Sequence, residues 1–239
     1  MRKLFLFLTV LTFGITLSSC LSVGNQNFAE TSIVYIDSHG FTTYGKTLSG
    51  RAIYNDQISI MSPRTFKVMN YNWDEEYGVQ DVDGVTLYKV VTTGDVIDLS
   101  QTELITGISN IERGATLKEI KQPVYDEYGV YFDDFWLFEY TYEGKEGQKP
   151  RLSFFLRENS QDENIKEIDI RLNLHGEAKE GAETRTYGDV IAVDMKLIRS
   201  MFLGPSNQNV RLKFFYFDDD TSENPTSSQN TWEMSSYDK

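Results

Sequence analysis

The chain has 239 residues, with 23 Lys and Arg against 36 Asp and Glu, a formal charge of −13, two histidines and one cysteine. A pI near 4.6 argues against nucleic acid, because a phosphate backbone is gripped by clustered Lys and Arg that release counterions, and the sequence holds no basic stripe. One thiol permits no intramolecular disulfide, and two distant histidines leave little scope for a metal cage, so neither cofactor nor metal is expected.

Met1-Arg2-Lys3 opens the chain with cations, and Leu4 to Leu17 is an apolar run. It is too short to cross a hydrocarbon core, which takes about 20 apolar residues, and has the length of a secretory signal. Leu17-Ser18-Ser19-Cys20 follows: a hydrophobic residue, two small ones and the only cysteine. That order resembles a bacterial lipobox, in which the thiol is acylated and the chain is cut before it. Residues 1–19 are then the signal peptide and Cys20 the lipid-attachment site. Cleavage leaves 239 − 19 = 220 residues and 21 basic against 36 acidic groups, a net −15. Several acyl chains hold a protein to a membrane stably, at about 0.8 kcal/mol per buried methylene. Residues 20–30 read as a tether.

From residue 31 the pattern is short apolar alternation broken by Gly, Asn and Asp, the signature of strands. Ile33 to Ile36, Ala52 to Ile60, Thr65 to Tyr71 and Val85 to Thr93 are rich in β-branched and aromatic residues, and Asp83-Gly84 marks a turn. With Leu104 to Ile111 and Leu117 to Ile120 they make a first domain over residues 31–121, a small barrel. Lys121-Gln122-Pro123 is the expected boundary, since proline interrupts ladder hydrogen bonding.

The second domain, residues 125–217, carries stronger signals. Tyr131 to Tyr142 is the most aromatic stretch, Arg151 to Arg157 alternates, and Ile168, Ile170, Leu172 and Leu174 face one way while Asp169, Arg171, Asn173 and His175 face the other. Val190 to Met195 and Val210 to Phe217 complete the set, with a helical turn or two over Met195 to Leu203. Antiparallel strands with one wet face fit a sandwich or an open meander. Residues 218–239, acidic and rich in Ser, Thr and Asn, predict a mobile tail, although Trp232 and Met234 are able to dock.

Candidate chemistry is sparse. His39 and His175 each precede glycine and do not form a pair. No Gly-x-Ser-x-Gly elbow exists. Asp81-Val82-Asp83-Gly84 begins like a calcium loop, but Val85, Thr86 and Thr92 stand where a ligand, a glycine and a glutamate are required. Asp133-Asp134 and Asp218-Asp219-Asp220 offer clustered carboxylates for loose calcium binding, but read first as solvated ends or edges of strands. With 36 acids, pairs suited to glycoside hydrolysis carry no signal. No catalytic residue is therefore named. In the aromatic stretch Phe132, Phe138, Tyr140 and Tyr142 share one face while Tyr131, Phe135 and Leu137 share the other. A strand buried on both sides accounts for this. The functional alternative is a binding surface of Trp136, Tyr131 and Tyr140, since exposed aromatics stack on sugars and anchor interfaces.

The order of features resembles the NigD-like lipoproteins of Bacteroidetes: a lipobox, a β domain with Asp83-Gly84-Val85-Thr86-Leu87-Tyr88, then Ile168 to Glu177, Val190 to Met195 and Val210 to Tyr216. Asn173-Leu174-His175 departs from that family's usual Arg-His-Asn turn. The resemblance implies an all-β chain, an N-terminal OB-like barrel followed by a C-terminal antiparallel β-sandwich, with no catalytic residues to carry over. The main expectation is a non-enzymatic cell-envelope lipoprotein that binds an envelope protein, a peptide or a glycan through its β surfaces, and the lack of an acidic run after Cys20 points to an anchor in the outer membrane. A bacteriocin-immunity-type protein that intercepts a cationic toxin or peptide is the alternative, its encounter speeded by the acidic C-terminal half. A hydrolase using two carboxylates comes third.

Overall fold

The computed structural model describes residues 27–107, 114–158, 165–204, 208–219 and 224–236. The signal segment and Cys20 lie outside them. Two compact units divide between Leu99 and Ser100, and both are built of strands. One of the two sheets is curled into a half-barrel. No helix among the described residues is long and apolar enough to cross a membrane.

Unit 1 comprises β1 (Phe28–His39), β2 (Thr42–Thr47), β3 (Ala52–Tyr54), α1 (Asp56–Ser59), β4 (Thr65–Trp73), a 3-10 turn (Glu75–Tyr77), β5 (Val79–Val82), β6 (Val85–Lys89) and β7 (Val91–Asp98). They form a seven-stranded sheet in the order β5-β6-β3-β2-β1-β4-β7, antiparallel except for β3 beside β6. Val34, Ile36, Ile53, Ile58, Met69, Tyr71, Trp73 and Val90 build its core. Neighbouring strands approach closely at Gly45, where a Cβ would lie 2.4 Å from Val34 Cγ1 of β1. Asp83 and Gly84, both at positive φ, make the two-residue β5–β6 turn that their sequence announces, and Asp81 accepts from the Gly84 N–H at 3.1 Å.

Three local expectations change in this unit. Ala52 to Ile60 is not one strand: Asn55 accepts from the Ile58 N–H at 2.8 Å, and this cap turns the chain into α1. Val85 to Thr93 splits at Val90, which leaves β6 for the core while β7 crosses to pair with β4. The end of the expected tether is structured, because Phe28 stacks on Trp73 at 5.5 Å and packs edge-on to Tyr88 at 5.8 Å. The Arg51 guanidinium stands 4.4 Å from the Phe28 ring centre.

Unit 2 holds β8 (Ser100–Thr106), β9 (Leu117–Ile120), β10 (Phe135–Lys145), β11 (Lys149–Leu156), β12 (Ile165–His175), β13 (Thr184–Asp194), α2 (Lys196–Phe202), β14 (Asn209–Tyr216), β15 (Thr226–Ser227) and β16 (Trp232–Ser235). The path runs β15-β14-β12-β11-β8-β13-β10-β9, with β16 also on β14. Strand β8 joins the two halves: Ser100 to Glu103 pair with β13, then Leu104 to Thr106 pair with β11. The other side is joined by Ala115, whose N–H donates to Leu172, and by Leu117, whose N–H donates to Phe217. Between the halves lies an aromatic core in which Phe138 stands 5.2 Å from Phe154 and 5.0 Å from Phe214.

These pairings correct the expected boundary near residue 121. β8 and β9 complete the second unit's sheet, so they belong to it, and proline in a loop is no proof of a domain limit. The expected antiparallel sandwich also contains parallel pairs, β8 with β11, β8 with β13 and β12 with β14. The tail expected to be mobile supplies β15 and β16, and Met234 is fully buried. One anchoring apolar side chain and backbone pairing to β14 outweigh its polar composition.

Candidate binding site

Of the residues read as a binding surface, two are interior. Trp136 is fully buried, stacked on Tyr125 at 3.9 Å, and its indole N–H finds no acceptor. Tyr140 is 2% exposed. Both occupy the inward parity of a strand covered on its two sides, so the plain reading of that aromatic stretch is the correct one. Tyr131 precedes β10 in a loop, where its ring packs edge-on to Phe132 at 4.7 Å. Asp126 organises this loop by accepting from the N–H groups of Tyr128, Val130 and Tyr131. Asp134 is not a loose cation ligand: its carboxylate pairs with Arg199. Asp218 accepts from the Thr226 hydroxyl at 2.7 Å. His39 and His175 belong to different units, and His39 engages Asp83 at 2.9 Å.

The chemistry gathers instead at one end of the unit 2 core. β10 and β13 pair with Tyr140 opposite Asp189 and Tyr142 opposite Tyr187. On β13 the alternation places Tyr187 and Asp189 on the same face as the core residues Ile191 and Val193. A carboxyl therefore stands where the pattern calls for an apolar group. Its Oδ2 accepts from the Tyr140 hydroxyl at 3.3 Å and its Oδ1 from the Val190 N–H at 2.8 Å. Tyr142 stacks between the two other rings, 5.9 Å from Tyr140 and 5.7 Å from Tyr187.

No Lys or Arg pairs with Asp189 among the described residues. Burial raises its pKa above the ordinary carboxylate range, while the two hydrogen bonds oppose the rise. The same burial, reinforced by Asp189, raises Tyr140 and pushes Tyr142 up to about 12. The phenols are thus donors at neutral pH and the carboxyl is the one group there whose charge is open to change. Half-buried Asp189 and Tyr187 remain open to solvent. A solvent-reachable carboxylate here attracts a cation through its charge, and the half-buried Tyr187 two residues before it on β13 offers ring surface on the same face. In the sequence the apolar alternation of this strand starts only at Val190, which leaves Asp189 outside it. The acid at core parity between Tyr187 and Ile191 was the available signal.

Fold and site together define a two-unit all-β chain with a solvent-reachable acid set among tyrosines. No family model matches the sequence, and no curated protein matches it. Solved structures do share the fold. An uncharacterised protein from Parabacteroides merdae ATCC 43184 aligns over 86% of this chain and 98% of its own, with 14% identity and a TM-score of 0.60. A proposed lipoprotein from Bacteroides fragilis NCTC 9343 aligns over 89% and 99%, at 10% identity and a TM-score of 0.55. A NigD-like immunity protein from Bacteroides caccae ATCC 43185 aligns over 90% and 99%, at 10% identity and a TM-score of 0.52. The NigD-like resemblance read from the sequence is thus matched in the fold of both units.

Proposed function

We propose that this chain is a non-enzymatic cell-envelope lipoprotein, anchored through Cys20 in the outer membrane, that captures a protein or peptide by a cationic side chain held at Asp189. The observation that carries this reading is the carboxyl itself. A carboxyl partly withdrawn from water, with no cation beside it among the described residues, is costly to keep, and such groups concentrate where a ligand completes them. The lipobox-like Leu17 to Cys20 and the fold shared with a proposed lipoprotein support the location. The shared fold with an immunity protein supports interception of a basic toxin or peptide as the biological setting. Unit 2 suits that role, with 16 basic against 26 acidic residues, a net −10 that draws cations from a distance.

Calorimetric titration of the chain with a tetralysine peptide tests it. Saturable binding is expected that weakens with salt and falls at least tenfold in Asp189→Asn, which keeps the shape and the Tyr140 contact but not the charge. Equal affinity of the parent and Asp189→Asn chains contradicts the assignment. Binding of a neutral envelope oligosaccharide that survives high salt points to sugar stacking on Tyr187 instead.

A further inference from the structure

Two large apolar side chains project from unit 1 with almost nothing over them. Phe41, at the tip of the β1–β2 hairpin, is fully exposed, and Ile60, just after α1, is 85% exposed. Neither is loosely placed. The hairpin is paired to its end at His39 and Thr42, with Gly40 at φ 59 making the turn. Ile60 lies between the buried Ile58 and Met61, which packs on the same core and donates its N–H to the Ile58 carbonyl at 3.0 Å. The two projections share one end of the unit, because the Arg64 N–H donates to Ile36 at 2.7 Å and sets the α1–β4 loop beside the hairpin.

The same two segments stand apart in charge. Ser38 to Thr43 and Gln57 to Arg64 contain no Asp or Glu, in a chain with 36, and they carry His39 and Arg64. Three carboxylates border them: Asp37 holds Lys46 at 2.7 Å, Asp83 is engaged by His39 at 2.9 Å, and Asp56 opens α1. Separate apolar tips on segments that carry no acid of their own suit a lipid surface, where acyl chains solvate each side chain singly. A protein interface instead concentrates its apolar contacts in a packed centre.

We propose that this end of unit 1 rests on the membrane, with Phe41 and Ile60 inserted among the lipids and Arg64 at headgroup level. The proposal depends on the lipid anchor at Cys20, which keeps the chain at the bilayer and makes two shallow insertions sufficient. Chain length sets the posture. Seven links from Cys20 to Asn27 reach roughly 25 Å, whereas the 12 residues of β1 extend to roughly 36 Å. β1 must therefore lie oblique to the membrane normal when its hairpin touches the surface. Anchor and tips together would fix the orientation of unit 1 on the bilayer.

The test uses full-length lipidated chain in vesicles of phosphatidylethanolamine and phosphatidylglycerol. Since Cys20 is the only cysteine and is consumed by lipid, Phe41→Cys, Ile60→Cys and, as a control on the edge strand β7, Ile97→Cys each offer one thiol to a polarity-sensitive dye. Expected are blue-shifted emission and quenching by brominated acyl chains at positions 41 and 60, and neither at 97. A chain that floats with the vesicles while positions 41 and 60 stay as wet as 97 overturns this contact alone. A chain that does not float removes the anchor and the contact with it. A blue shift that appears only on adding a purified envelope protein assigns the tips to a protein partner and overturns the lipid assignment.

Discussion

Replacing Arg199 by alanine strands a buried charge, and the cost follows from the surroundings of the pair. Arg199 is 5% exposed and Asp134 2%. The guanidinium pairs with Asp134 through Nε, donates through Nη1 to the Ser235 carbonyl and reaches the Glu127 carbonyl through Nη2 at 3.4 Å. It thereby ties α2, the loop before β10 and the terminal strand β16 together. Removing one partner of such a pair costs about 3–5 kcal/mol, because the remaining carboxylate is left in a medium that cannot solvate it. At about 2–4 °C per kcal/mol for a unit of this size, thermal unfolding followed by circular dichroism shifts down by roughly 10 °C. Hydrogen exchange should show β16 losing protection before β14. The double variant Asp134→Leu with Arg199→Met recovers most of the loss, short of about 1 kcal/mol for the Ser235 carbonyl that loses its guanidinium donor, since the Glu127 carbonyl keeps the Ser235 N–H at 3.1 Å. An Arg199→Ala chain that unfolds within a degree or two of the parent, with β16 still protected, refutes the reasoning.

Three further outcomes are expected. Trp136→Ala lowers stability by about 3–5 kcal/mol in denaturant melts, whereas Trp136→Phe costs far less, since it keeps a ring against Tyr125 and deletes an indole N–H that has no acceptor. Gly45→Ala destabilises by about 1–3 kcal/mol, because its Cβ meets Val34 Cγ1 at 2.4 Å and Ile53 Cγ1 at 3.2 Å; an unchanged melting midpoint counts against the close packing of β2 on the core. Asp189 has a raised pKa in the fold, so the native chain holds its proton where the unfolded chain has released it. Its contribution to stability is therefore greatest below the unfolded value of about 3.9 and declines as pH rises to the folded value. Asp189→Asn removes that decline, so the variant melts at or above the parent at pH 7, with the difference vanishing in acid.

Much of the architecture was legible because its cause is local. The alternation of Ile168, Ile170, Leu172 and Leu174 faithfully gives the inward face of β12, and Asp83-Gly84 gives its turn from backbone preference alone. What escaped depends on partners distant in sequence. β2 (TTYGKT) has little apolar alternation and exists because β1 and β3 flank it. β8 and β9 carry no mark of the unit they join, which is decided by β10, β11 and β13. The acidic tail folds because β14 offers an edge and the core accepts Met234. At the site, Trp136 and Tyr140 drew attention through their ring chemistry, yet the parity that fills a core also hides them. Asp189 was visible only as an exception to parity, once the strand is extended back to Thr184.

Recognition of a cation at Asp189 is best tested on its own carboxyl carbon by NMR at a pH just below the folded-state midpoint, with tetralysine peptide added stepwise. Capture should move the signal toward the ionised position and release protons, since the bound ammonium stabilises the carboxylate that burial disfavours. A signal that stays in place while the peptide saturates the protein elsewhere contradicts the assignment of the site.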